Sequence, residues 1–289
     1  MRPRANALAV LLLVAAPLGA QRIDWQARAV LYGDNTEFFT PYRTGETILG
    51  GQVRAWVEGH PTDRLSLRVG AFADRRWGSE EFTDSLKPIL AARYATVHSL
   101  GVMGTLDNTR RHGLIDPLMV STRELTTPIE YGLQWREQRK RFDAEAWINW
   151  QRLNTPTQRE AFEMGAVASI QPVRGLSIGA QHLWSHHGGQ LFDAGVPVSN
   201  NRVTSLGVNV SDSLPVVRHA RLQVSRLWSE GHLDPDYSTD RPNGGSGTWL
   251  RGEVSPWPLW ALFVIHWRGR DFEAAAGDPN YGSVGQAPG

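Results

Sequence analysis

The sequence contains no cysteine. Disulfide staples, thiolate nucleophiles and cysteine-based metal sites are excluded together. It also lacks an excess of either charge. Thirty Lys and Arg stand against 29 Asp and Glu, so no global field attracts nucleic acid and none is expected as a partner. Beyond the first residues there is no long apolar run. No later segment approaches the roughly 20 residues that a spanning helix needs. A membrane location would then require a closed barrel, because only helices and barrels satisfy every backbone polar group in lipid.

What the chain does have begins with a basic and apolar start. Arg2 and Arg4 precede the run Ala7 to Ala16, and Pro17-Leu18-Gly19-Ala20 offers small residues for cleavage before Gln21. This predicts a signal peptide over 1–20 and an exported domain over 21–289. Twelve tryptophans and 29 glycines are also prominent. That combination suits a membrane barrel, where amphipathic rings sit at headgroup level.

From residue 23 the apolar period is two. Ile23-Asp24-Trp25-Gln26-Ala27-Arg28-Ala29 alternates, as do Leu65 to Ala71, Ile129 to Arg136 and Phe142 to Trp150. Each such segment carries one apolar and one polar face. Strands are expected near 23–33, 46–58, 64–75, 89–96, 98–106, 128–137, 141–153, 161–171, 175–186, 202–211, 217–229, 247–254 and 258–270. The connections alternate in length. Short ones fall at His60 to Asp63, Gln138 to Lys140, Pro172 to Arg174 and Ser255-Pro256. Long ones span 34–45, 76–87, 107–127, 187–201 and 231–246. Outer-membrane barrels segregate short periplasmic turns from long outer loops in this way. The fold class expected is an all-β, transmembrane, antiparallel up-and-down β-barrel.

About thirteen strands is an odd count, whereas bacterial single-chain barrels are even. The tail from Asp271 is rich in Gly, Ala and Pro without alternation and reads as an outer loop. The expectation is that the closing C-terminal strand is missing and that the full barrel has about 14 strands or more. The rings provide an independent check. Tyr32, Trp150, Trp184, Trp228, Trp249 and Trp267 fall near one set of strand ends, and Trp25, Trp135, Phe142, Trp257 and Trp260 near the other. Two such bands are what interface girdles require. Trp56 and Trp147 fall in the opposite phase and point into the lumen.

On alternation, girdles and loop asymmetry, the chain resembles bacterial outer-membrane porin-like barrels. The resemblance implies an outer-membrane location, the lipid bilayer and the outer-membrane assembly machinery as partners, and no cofactor. It identifies no particular family and carries over no functional residue.

Placing the apolar phase outward puts Arg54, Glu58, Arg68, Asp74, Glu130, Arg136, Asp143, Glu145, Glu163, Arg221, Arg251 and Glu253 inside. Charges in this number line water or pair across the lumen, since a dry core would make them too costly. Segment 107–127 is long enough to fold inward as a constriction. Candidate ligand contacts are Glu37, Phe38 and Tyr42 in the first long loop, where rings beside hydrogen-bonding groups suit a saccharide. His186, His187 and Gln190 form a second set near Ser185 and Asn200. Neighbouring histidines on a strand face opposite ways, so no metal site and no catalytic residue is assigned. The leading expectation is a channel or export pore for a small polar solute or saccharide. The alternatives are a non-conducting surface barrel that binds or assembles polysaccharide, and an outer-membrane hydrolase using the His186/His187 loop, with Asn200 or Asn201 orienting an imidazole.

Overall fold

A strand with one apolar face is stable only where that face meets hydrocarbon or a core. The computed structural model, which describes residues 22–37, 45–214, 217–233 and 243–283, meets that demand with a single thirteen-stranded antiparallel sheet in sequence order. The strands are β1 (Arg22–Thr36), β2 (Glu46–His60), β3 (Leu65–Arg76), β4 (Ser85–Ala95), β5 (Ser99–Thr105), β6 (Tyr131–Arg139) and β7 (Phe142–Arg152). They continue through β8 (Glu160–Val173), β9 (Leu176–Gly188), β10 (Ser199–Leu214), β11 (Val217–Glu230), β12 (Gly244–Trp257) and β13 (Trp260–Arg270). Among the described residues β1 pairs with β2 alone and β13 with β12 alone. The expected signal peptide lies outside the described residues.

The burial is that of a membrane wall. Val53, Val69, Leu90, Leu133 and Leu206 are each at least half exposed, while Gln52, Glu58, Gln134, Ser205 and Ser225 are buried. A water-soluble sheet would invert this arrangement. Among the described residues no helix is long and apolar enough to cross a membrane. The protein is an up-and-down β-barrel with its apolar side turned outward.

All thirteen expected strands are present, and the differences are local. The fourth strand is expected near 89–96, yet Ser85 to Tyr94, Pro88 included, pairs with β3. The proline is tolerated because β4 pairs with β5 only from Ala91 onward. Thr96-Val97-His98 is a poor turn by composition. It closes because the Thr96 hydroxyl accepts from the backbone N–H groups of His98 and Ser99, at 3.3 and 2.9 Å. Ser255-Pro256 was expected to turn, but β12 runs on to Trp257 through an irregular register after Val254. A proline at a bulge costs the ladder little.

The lumen is filled from the long-loop end. Segment 106–130, between β5 and β6, and segment 271–283, after β13, both fold inside. Leu114, Leu118, Met119, Phe272 and Tyr281 pack against Trp147, Leu183, Leu227 and Trp249 of the wall. The two segments bond to each other, Val120 N–H to the Ala276 carbonyl at 2.8 Å and Asp278 N–H to that of Asp116 at 3.0 Å. Residues 271–283 are therefore part of a plug and not an outer loop. Trp249 and Trp267 are drawn inward with them, Trp267 meeting Phe272 and Tyr281 edge-on. Tyr32 also leaves the girdle and donates to Asp74 at 2.8 Å. Trp150 and Trp228 remain on the outer surface, as do Trp25, Trp135, Trp257 and Trp260 at the opposite end.

Candidate functional site

Three polar constellations occupy the barrel. The first fastens the plug. Its helical turn, α1 (Arg123–Thr126), lies within the lumen and is bonded to two wall strands. Arg123 donates to both Glu163 oxygens on β8, and the Gln52 amide on β2 donates to the Leu125 carbonyl at 2.5 Å. Burial works against the Arg123 charge, but the Glu163 carboxylate overrides it and raises the guanidinium above its ordinary range. Asp107 is held between Arg93 at 2.5 Å and Arg68 at 3.3 Å, and Arg68 also pairs with Glu58 at 3.0 Å. Burial alone would raise the Asp107 carboxyl; Arg93 and Arg68 hold it below the usual carboxylate range.

His112 is the centre of this network. Nε2 lies 2.8 Å from Glu130 and Nδ1 2.5 Å from Glu145, and the ring stacks on Trp147 with centroids 4.0 Å apart. Glu145 also accepts from Gln134 and Arg136. Gly165 makes the stack possible, because a Cβ there would enter the Trp147 ring at 2.1 Å. Carboxylates face both nitrogens of His112, with Gln134 Nε2 more distant at 3.4 Å from Nδ1, so the surroundings favour the imidazolium. Burial would lower its pKa, but Glu130 and Glu145 outweigh burial and raise it. Neither nitrogen is free to take a proton from substrate. The preceding Arg110 and Arg111 share its left-handed backbone, with φ of 53°, 53° and 56° across the three. That strain is held by the carboxylate clamp.

The second constellation is a polar vestibule of about 940 Å³ below the plug, roofed by residues 109–116 and lined toward the short turns by Arg136, Asp143, Asn209, Arg221 and Glu253. Arg251 pairs with Glu253 at 2.8 Å, and Arg221 donates to Asn209 at 2.6 Å. Arg54 is half-buried and stands opposite Arg28 in the β1–β2 register.

The third lies at the outer rim, where β9 and β10 pair His186 with Asn200. Ser185 is buried on the inner face beside Leu183, whereas His186 shares the outer face with Trp184. His187 again takes the inner phase, so the two histidines cannot chelate one ion from the strand. Trp184 Nε1 donates to Asn200 Oδ1 at 2.9 Å, and His186 Nδ1 lies 2.7 Å from that same oxygen. Indole N–H is only a donor, so the shared atom is the amide oxygen and Nδ1 of His186 must also donate to it. Nε2 then carries the lone pair. Gly188 leaves space there, for a Cβ would sit 2.1 Å from Nε2. Phe162 flanks the ring at 4.7 Å. Gln190 is exposed in the loop that follows, and Glu37 is exposed and accepts from Asn35 at 3.3 Å. Phe38 and Tyr42 lie outside the described residues. A shallow apolar groove of about 690 Å³ runs along the lipid-facing wall past Tyr94, Met103, Trp135 and Met164, and ends at His182 and Trp184.

The model of one protein family, described as lipid A 3'-O-deacylase-type, matches residues 15–288. The chain belongs to that family. The protein is thus an outer-membrane barrel, with the lipid bilayer as its surroundings. A search of the curated proteins finds no match. Among solved structures, it is similar to OmpT folded in vitro, an outer-membrane protein of Vibrio cholerae, at 7% identity and a TM-score of 0.40 over 86% of each chain. A loop L8 deletion mutant of that OmpT is similar at 8% identity and a TM-score of 0.43, over 86% of this chain and 93% of the other.

The sequence pointed to the wall charges and His186, and not to Asp107, His112 or Arg123. The only available signal was that 107–127 carries basic residues in a segment long enough to enter a lumen whose wall is rich in glutamate.

Proposed function

We propose that this deacylase-type family member works at its outer surface on a lipid A-type acylated saccharide, hydrolysing an ester, and not as a conduit. The observation that carries the reading is the plug bonded to opposite walls, to β2 through Gln52 and to β8 through Arg123. A lumen bridged in this way favours chemistry outside the barrel. The rim supplies a suitable group there. His186, with Nδ1 donating to Asn200, leaves Nε2 as an acceptor on the outer face beside Trp184, which lines the upper end of the apolar groove. In this scheme an acyl chain lies along the groove, and Nε2 takes a proton from water as the water oxygen attacks the ester carbonyl. The proton then passes to the departing sugar hydroxyl. His112 has the wrong protonation state for that role.

A second reading, a pore for a small polar solute or saccharide, draws on the polar vestibule below the plug. One preparation separates the two. Full-length protein in lipid A-containing vesicles is assayed for free fatty acid by mass spectrometry, and in planar bilayers for current. Release of fatty acid that disappears in His186→Ala, with no steady current, supports hydrolysis at the rim. Steady ohmic current without fatty acid release would overturn it in favour of the pore.

A further inference from the structure

The lipid-facing phase of β10–β13 breaks the rule that governs the rest of the wall. Moving outward along the barrel, the apolar band of Leu222, Val224, Val208 and Val264 gives way to a row in which Arg226, Thr248 and Arg268 are register partners. One step further out, His182, Thr204, Trp228, Ser246 and Arg270 form the next row. Arg202 lies in the row above and reaches over Trp184 at 5.4 Å. Three adjacent rows on neighbouring strands thus place Arg202, Arg226, Arg268 and Arg270 on one outward patch. A cleft of about 520 Å³ opens at the outer edge of the patch, beyond Arg226 and Arg268, and is lined by Arg202, Thr204, Ser246 and Arg270 together with Glu230 and Asp271.

Among the described residues, the carboxylates at the patch are Glu230 and Asp271, both of which line the cleft. Glu230 lies 3.9 Å from Arg202 and Asp271 3.4 Å from Arg270. Among the described residues no carboxylate is within ion-pair distance of Arg226 or Arg268. Arg226 is instead aimed by neutral groups, donating to Thr248 Oγ1 at 3.0 Å and Ser246 Oγ at 2.7 Å. Following the register from Arg226 across β10, β9, β8 and β7, the partners are Leu206, Ala180, Ala168 and Ala144, none of them charged. Among the described residues, the cationic row does not continue along this register from β11 to β7.

Guanidinium groups near the hydrocarbon edge cost little in themselves and stand at the depth of lipid headgroup anions. Guanidinium forks match phosphate oxygens, and hydroxyls from Thr and Ser complete such a cradle. We infer that the β10–β13 patch binds the phosphate of a lipid A-type headgroup in the outer leaflet, with Arg226 and Arg268 as its principal contacts. The apolar band beneath takes the acyl chains. The inference rests on the proposed lipid substrate and deepens it. His182 lines both the patch and the upper end of the acyl groove, so one lipid can engage both while its ester lies near His186.

The test is binding of full-length protein in nanodiscs to lipid A, to the same lipid stripped of its phosphates, and to phosphatidylglycerol, read by native mass spectrometry. Arg226→Gln/Arg268→Gln should weaken lipid A binding about tenfold or more, the loss expected for charge-assisted bonds to an anion. The dephosphorylated lipid should bind both proteins equally, and Arg226→Lys/Arg268→Lys should recover part of the affinity. Unchanged lipid A binding by a variant that retains heat-modifiable barrel mobility would overturn the inference. So would an equal loss for the dephosphorylated lipid. Phosphatidylglycerol bound as tightly as lipid A would reduce the patch to a generic anion girdle and overturn the assignment. If wild-type protein binds neither form of lipid A, the proposed function itself falls. If wild type binds and the Arg variants match it, only the phosphate site does.

Discussion

Arg123 grips Glu163 with both terminal nitrogens, at 2.6 and 2.7 Å, and so ties the segment between β5 and β6 to the far wall at β8. Breaking one partner of such a buried pair leaves the other charge uncompensated, at a cost of about 3–5 kcal/mol. Arg123→Ala should loosen the plug without disturbing the strand ladder. The expected outcome is a rise in planar-bilayer conductance and in uptake of bulky antibiotics over wild type. Glu163→Ala should behave alike, and the double variant should be no worse than either single one.

The plug should loosen toward alkaline pH. His112 has a folded-state pKa raised above its ordinary value of about 6.5. The stability it contributes is fully present below that value and is lost as pH rises through the raised one. Asp107 has the opposite sign. Its depressed pKa gives stability above the ordinary carboxylate range that is lost only as pH falls through the depressed value. The protection factors of residues 106–130, taken relative to intrinsic base-catalysed exchange, should therefore fall on the alkaline side. His112→Gln should lower protection at neutral pH and remove most of that alkaline change. A wild-type profile flat from neutral to alkaline pH would count against the imidazolium clamp.

Gly188 is required by the rim geometry, since a Cβ would meet His186 Nε2 at 2.1 Å. Gly188→Ala should displace the imidazole and reduce ester hydrolysis about 100-fold or more, within the range that a general base supplies. The barrel should keep its heat-modifiable mobility. Asn200→Ala should lower kcat and leave lipid binding largely intact, because it frees the tautomer that Asn200 selects. Ser185→Ala should have little effect, as Ser185 faces the lumen.

Leu118 is fully buried where the two plug segments meet the wall. Leu118→Ala removes packing on several sides and should destabilise the plug by about 2–5 kcal/mol. Limited proteolysis at 106–130 should become faster, while the wall strands stay protected.

The wall was legible because its determinant is local. Each strand must present hydrocarbon-compatible side chains at every second position, so Val53, Val69, Leu133 and Leu206 declare their face without reference to any neighbour. The lumen charges Glu58, Arg68, Glu145 and Glu163 followed from the complementary phase. Even the patch at Arg226 and Arg268 has a signal in the chain, as arginines placed in the apolar phase.

The plug had no such signal. Segment 106–130 has no period, and Phe272 and Tyr281 sit in a Gly/Ala/Pro-rich tail without alternation. Their burial depends on how loops re-enter the lumen, and the same is true of the partners His112, Glu130 and Glu145. Alternation along the chain by itself determined the strands, their faces and the sidedness of the loops. Only the tertiary structure decided that segments 106–130 and 271–283 enter the interior and bond to each other, that Trp249 and Trp267 turn inward, and which carboxylates meet His112. Facing direction is fixed by backbone pleat within a few residues, whereas pairing across a lumen depends on contacts between segments far apart in sequence.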